Sequence, residues 1–257
     1  MQWAAVVLAM AAFVAPQGVP TQSVAPPPFK PGDIISDAKF TDSRSMSAAD
    51  IQRFLERLAP ECSPIPGGPE CLKDYRETTV TRPASTGGQC AEYTGADDER
   101  ASAIIAKVAR ACGISPKVIL VTLQKEQSLV DTLTPSAREY KVAMGYGCPD
   151  TAQCDTKYFG LYNQLYWGSW QLKEYFLHPT RWRHHPGSVP IRYSPRGPCL
   201  SPVVKIENRA TGALYNYTPY QPNAAARASW YQPGDSCSSY GNRNFSSYYR
   251  DWFGSPT

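Results

Sequence analysis

Eight cysteines, at positions 62, 71, 90, 112, 148, 154, 199 and 237, constrain this chain more than any other feature. An even set reads as a disulfide framework in an oxidising context, and as thiol chemistry or metal ligation elsewhere. The context comes from the N-terminus. The first 25 residues carry no Lys, Arg, Asp or Glu, and Trp3 to Val14 form an apolar run too short to span a bilayer. This predicts a signal peptide over 1–25 and an exported protein, secreted or associated with the cell wall. Four disulfides follow. Proximity along the chain suggests Cys62 with Cys71, Cys90 with Cys112, Cys148 with Cys154 and Cys199 with Cys237, while spacing alone leaves other pairings open. Metal binding is disfavoured: no two cysteines have C-x-x-C spacing, and His178, His184 and His185 share one loop.

The 257 residues, 42% hydrophobic, can bury a sizeable core. Residues 26–44 open with Ala25-Pro-Pro-Pro-Phe-Lys-Pro31 and read as a Pro-rich linker and entry segment, leaving 45–257 as a single domain. That domain is mainly α. Ile51, Phe54, Leu55 and Leu58 share one helical face behind Ser45, and Ile104, Ile105 and Val108 do so in a helix from Asp98 to Cys112, stopped by Gly113. Ser115 and Pro116 open a third helix, whose body Val118, Ile119, Leu120, Val121 and Leu123 is too apolar for a surface position. Further helices are predicted over 160–177, 206–217, 222–230 and 244–253, the last capped by Asn244. Residues 60–97 read as a long disulfide-pinned loop, and 179–202, with six prolines, as irregular chain or a small hairpin.

A carboxyl at the end of an apolar helix, where core meets cleft, has the environment that raises its pKa and suits it to protonate a glycosidic oxygen. Glu126 is so placed. Ile114-Ser-Pro-Lys-Val-Ile-Leu-Val-Thr-Leu-Gln-Lys-Glu-Gln-Ser128 resembles the catalytic helix of lytic transglycosylases and related lysozyme-like enzymes. The resemblance covers about residues 100 to 220 and implies a lysozyme-like domain with Glu126 as catalytic acid. That family's helix ends in Glu-Ser, whereas here Gln127 intervenes, so the serine's role would pass to Ser128. Gly145-Tyr146-Gly147 or Gly160-Leu-Tyr162-Asn163-Gln164 stands for the family's Gly-Leu-Met-Gln turn. Ala213-Leu-Tyr215-Asn-Tyr217-Thr218 is similar to its sugar-contacting Ala-Tyr-Asn stretch. The chain also resembles exported actinobacterial proteins with Lys-Glu-Gln, Gly-Tyr-Gly-Cys-Pro-Asp and Tyr-Thr-Pro-Tyr-Gln-Pro-Asn segments.

A second carboxylate would set the mechanism, and Glu139, Asp150 and Asp155 are the candidates. By that resemblance Tyr146, Tyr162, Asn163, Gln164, Tyr215 and Tyr217 are candidate sugar contacts, and Tyr220 joins Tyr217 because aromatic rings stack on the apolar faces of sugars. Rings four apart, such as Tyr162 and Tyr166, equally suit a core stripe. The competing reading of Glu126 is a surface carboxylate paired with Lys125. No Gly-x-Ser-x-Gly elbow or phosphate-cradling loop is present, and cysteines held in disulfides leave no thiol nucleophile. The net charge of +4 suits an anionic envelope polymer. The sequence thus predicts an exported glycosidase, a hydrolase or lytic transglycosylase of cell-wall glycan, peptidoglycan first. The alternatives are a glycosidase of another envelope polysaccharide and a non-catalytic glycan-binding or adhesion module on the same fold. It is expected to be a monomer whose partner is cell-wall polysaccharide, with no cofactor, metal, nucleic acid or membrane-spanning segment after signal removal.

Overall fold

A computed structural model describes residues 29–149, 152–228 and 233–257. In chain order its helices are α1 (Asp37–Thr41), α2 (Ala48–Leu58), α3 (Ala101–Cys112), α4 (Pro116–Gln127), α5 (Ala137–Lys141), α6 (Leu161–Leu177), α7 (Arg209–Tyr217), α8 (Ala224–Ala228) and α9 (Gly241–Phe253). The strands are β1 (Arg76–Glu77), β2 (Glu99–Arg100), β3 (Gly187–Pro190) and β4 (Val203–Ile206). The expected mainly helical class is observed.

Helix α4 forms where the sequence places it, because Ser115 accepts a hydrogen bond from the Lys117 amide and Pro116 occupies the first turn. Val118, Ile119, Leu120, Val121 and Leu123 are fully buried, and α3 and α9 pack against them. Burial on this scale contributes roughly 1.5–3 kcal/mol per side chain, so α4 is the axis of the core. Helix α2 starts at Ser47, which forms a capping box with Asp50, and buries Ile51, Phe54 and Leu55. Gly113 ends α3 at φ 60°, a left-handed conformation that favours glycine. The long α6 packs between α3 and α7. Helix α9 begins at Gly241, ahead of the expected Asn244 cap. The Asn244 amide bonds back to Tyr240 O at 2.7 Å, which places Asn244 inside the first turn.

Two small antiparallel sheets lie in and beside the segments expected to be irregular, and β2 takes up the first turn of the helix expected from Asp98, so α3 starts at Ala101. Arg76 pairs with Arg100 and Glu77 with Glu99, a ladder too short for alternation to reveal. Gly187 to Pro190 pair with Ile206 to Val203, which realises the hairpin alternative. The four disulfides are Cys62–Cys71, Cys90–Cys112, Cys148–Cys154 and Cys199–Cys237, as proximity suggested.

Within the expected linker and entry segment, Phe29, Ile34, Ile35 and Phe40 lie in the same core as α3 and α4. The Ile34 amide donates to Thr211 Oγ1 at 3.0 Å, and Tyr215 OH donates to Pro31 O at 3.0 Å. The expected signal peptide, residues 1–25, lies outside the described residues. Among the described residues, no helix is long and apolar enough to cross a membrane.

Candidate functional site

The buried part of α4 ends at Gln124, whose side chain closes the turn beyond the helix by accepting from Val130 N at 3.1 Å and donating to Asp131 Oδ1 at 2.7 Å. The next three residues, Lys125, Glu126 and Gln127, emerge into a cleft of about 930 Å³. Its other walls are Arg138 and Val142 at α5, Met144, Gly145 and the Cys148–Cys154 disulfide, residues 194–196 between β3 and β4, residues 217–220 after α7, and residues 235–236 and 238–241 leading into α9. Gly145 has φ 72°, and a Cβ added there would sit 3.2 Å from Glu126 Oε2. The close approach of this loop to Glu126 therefore depends on glycine.

A charged pair lies at the head of the cleft. Glu126 Oε1 accepts from the Lys125 ammonium, which also donates to Thr218 Oγ1 at 2.8 Å and lies 5.7 Å from the Tyr217 ring centroid. The Lys125 side chain is 3% exposed and that of Glu126 27%, so most of the desolvation falls on the cation. Tyr217 OH donates to Met144 O at 2.8 Å, and burial, reinforced by the Glu126 charge, pushes its phenol well up. Asp235 accepts from Asn223 Nδ2 at 2.7 Å and Cys237 N at 2.9 Å, bonds that hold its carboxyl below the usual range. Both cleft carboxylates are thus engaged. Arg138 and Arg196 are exposed and make no ion pair among the described residues, which leaves the cleft with unmatched positive charge.

Of the sequence-predicted site residues, the cleft collects Glu126, Tyr217 and Tyr220. Ser128 is the exposed left-handed cap of α4 and lies off the cleft lining. Tyr146 stacks edge-to-face on Tyr158 at 4.7 Å. Tyr162 and Asn163 hold Arg82, and Tyr162 OH also donates to Val80 O. Gln164 is fully buried, accepting from the Met144 and Tyr146 amides and donating to the Tyr146 and Tyr158 carbonyls. Tyr215 is fully buried against the entry segment. Asp155 is exposed, caps the 3-10 turn Thr156–Tyr158 and pairs with Lys157 at 2.9 Å. Glu139 completes a capping box with Ser136, and Asp150 lies outside the described residues.

Sequence reasoning passed over Lys125 except as a surface partner, and it passed over Arg138, Arg196 and Asp235 altogether. The arginines carry no local pattern that marks them.

Fold and cleft together define a class: a disulfide-braced helical domain of the exported type, with a mixed-charge cleft at the end of its central helix. The family model described as LasA, N-terminal domain matches residues 33–257, and the chain belongs to that family. No curated protein and no solved structure matches. The family overturns the reading as a lysozyme-like or lytic-transglycosylase-type glycosidase, together with its variants for other envelope polysaccharides or for a glycan-binding module on that fold. The misleading segment was fifteen residues of capped apolar helix ending in Glu, a pattern that a buried helix reaching a cleft produces whatever its chemistry.

Proposed function

We propose that this chain is an exported accessory domain that docks on cell-wall polymer through the Lys125 cleft. The LasA N-terminal domain is associated with a secreted staphylolytic protease precursor, a cell-wall lytic context in the broad sense. The observation that carries the reading is the charge balance of the cleft. Glu126 and Asp235 are engaged within the protein, and the guanidiniums of Arg138 and Arg196 line the same cleft and make no ion pair among the described residues. Guanidinium forks recognise carboxylate and phosphate oxygens, which envelope polymers display in quantity. A cleft of about 930 Å³ falls within the range for binding a small-molecule-sized portion of such a polymer.

Co-sedimentation with purified cell-wall sacculi tests this. The domain should pellet with sacculi, release no soluble sugar fragments, and dissociate as salt is raised. The double variant Arg138→Ala, Arg196→Ala should retain about tenfold less protein with an unchanged melting temperature. Equal retention of wild type and variant, or no retention at all, would remove the proposal.

A further inference from the structure

A second groove, of about 420 Å³, lies along α6 and shares no lining residue with the Lys125 cleft. Its distinguishing group is Arg82. The guanidinium donates from Nε to Tyr162 OH at 3.1 Å and from Nη2 to Asn163 Oδ1 at 2.6 Å. It lies 5.1, 4.8 and 5.4 Å from the ring centroids of Tyr162, Tyr166 and Trp167. Three ring faces and two neutral acceptors hold this cation, and no carboxylate pairs with it among the described residues. Ring faces attract a cation without neutralising it, so a charge held in this way still favours an external anion.

The groove beside Arg82 supplies the rest of a recognition surface. Trp167 and Trp170 are half-buried, with ring centroids 5.9 Å apart, and Ser85, Thr86 and Gln89 line the groove with them. Flat apolar rings flanked by hydroxyl and amide groups match a pyranose, which offers an apolar face and a hydroxyl rim. Adding the guanidinium selects a sugar that bears a carboxylate. We infer that this groove is a binding site for an acidic sugar residue, stacked on Trp170 with Trp167, set edge-to-face to it, alongside, and with its carboxylate on Arg82.

The site stands apart from the cleft reading and does not depend on it. A row of rings, Tyr146 to Tyr158 to Trp167 to Trp170, with successive centroids 4.7, 5.8 and 5.9 Å apart, links the loop beside Gly145 to the groove. One polymer reaching both sites would pass along that row.

The test is a titration of the whole chain with N-acetylmuramic acid, glucuronic acid and neutral N-acetylglucosamine, read by tryptophan fluorescence and indole NMR shifts. Wild type should bind one or both acids about tenfold more tightly than the neutral sugar, the size of one charge-assisted contact. Preference for the muramic acid identifies a peptidoglycan source, and preference for the uronate identifies a uronic-acid polymer. Arg82→Gln should abolish the acid preference. Because Arg82 also fastens its loop to α6, Trp170→Ala provides a second variant, expected to weaken binding of all three sugars about tenfold with the fold retained by circular dichroism. Equal affinity for acid and neutral sugars, absence of binding, or binding that leaves the indole signals of Trp167 and Trp170 unmoved would overturn the inference.

Discussion

Gln164 shows how one side chain organises the loop that walls the cleft. Its amide satisfies two backbone N–H groups and two carbonyls between Met144 and Tyr158, and the residue has no solvent exposure. Buried backbone groups without partners cost about 1–3 kcal/mol each. Gln164→Ala is therefore expected to lower unfolding free energy by about 3 kcal/mol in urea titration, and a loss under 1 kcal/mol would contradict the assignment. The resemblance of Gly160-Leu-Tyr162-Asn163-Gln164 to a cleft-lining turn offered Gln164 as a sugar contact, because a polar residue in an aromatic run fits a cleft wall and a loop anchor equally well. Only the fold distinguishes them. The Lys125–Glu126 pair makes a second case. Glu126→Gln leaves a nearly buried ammonium without its anion and should cost about 1–2 kcal/mol, discounted for the exposed side of the carboxylate, while Lys125→Met combined with it should recover part of that loss. A surface pair would show neither effect. A double-mutant cycle by chemical denaturation separates the two outcomes.

Among the elements, α4 was the most legible, because its cap, its proline and its apolar body all specify the same helix. The strands were the least legible. Two-residue ladders carry no period, and β1 matters through one contact at long range. Glu77 accepts from the Tyr162 amide at 3.1 Å in the first turn of α6, which begins at a glycine with no side-chain cap. Burial pushes the Glu77 carboxyl up, with the Tyr162 bond opposing. Its folded pKa lies above the unfolded one, so the native state binds more protons in the window just above the ordinary carboxylate range. This position therefore loses stability as pH rises through that window and regains it on acidification. Glu77→Gln keeps an acceptor and removes the charge. It should raise stability near pH 7 and flatten the wild-type change between about pH 7 and 5, measured as melting temperature. An identical pH profile for the two proteins would contradict this. The disulfides differ in the loops they close, with sequence separations of 6 for Cys148–Cys154 and 38 for Cys199–Cys237. Replacing the second pair with serines should cost about 1.5 kcal/mol more than replacing the first, if loop entropy governs both.

For the molecule as a whole, an even cysteine count in an exported-looking chain foretold the bracing, and no cysteine is free. Thiol labelling under denaturing, non-reducing conditions should find none, and two labelled sites per molecule would break the disulfide account. The packing of the entry segment was not legible, because a Pro-rich run reads as linker whether or not Phe29, Ile34 and Ile35 lie in the core. Function was the least legible level. One helix with a carboxyl at its end pointed to glycosidase chemistry, while the family match over residues 33–257 drew on the whole domain. What survives of the site is its geometry: a cleft at the end of α4 with engaged carboxylates and with arginines that make no ion pair among the described residues. Hydrogen–deuterium exchange on the intact chain, with and without soluble peptidoglycan fragments, tests whether that cleft receives cell-wall polymer. The account predicts added protection in the amides of residues 144–148, 217–220 and 235–241, weakened in the Arg138→Ala, Arg196→Ala variant. Protection confined to other surfaces, or none at saturating fragment, would contradict it.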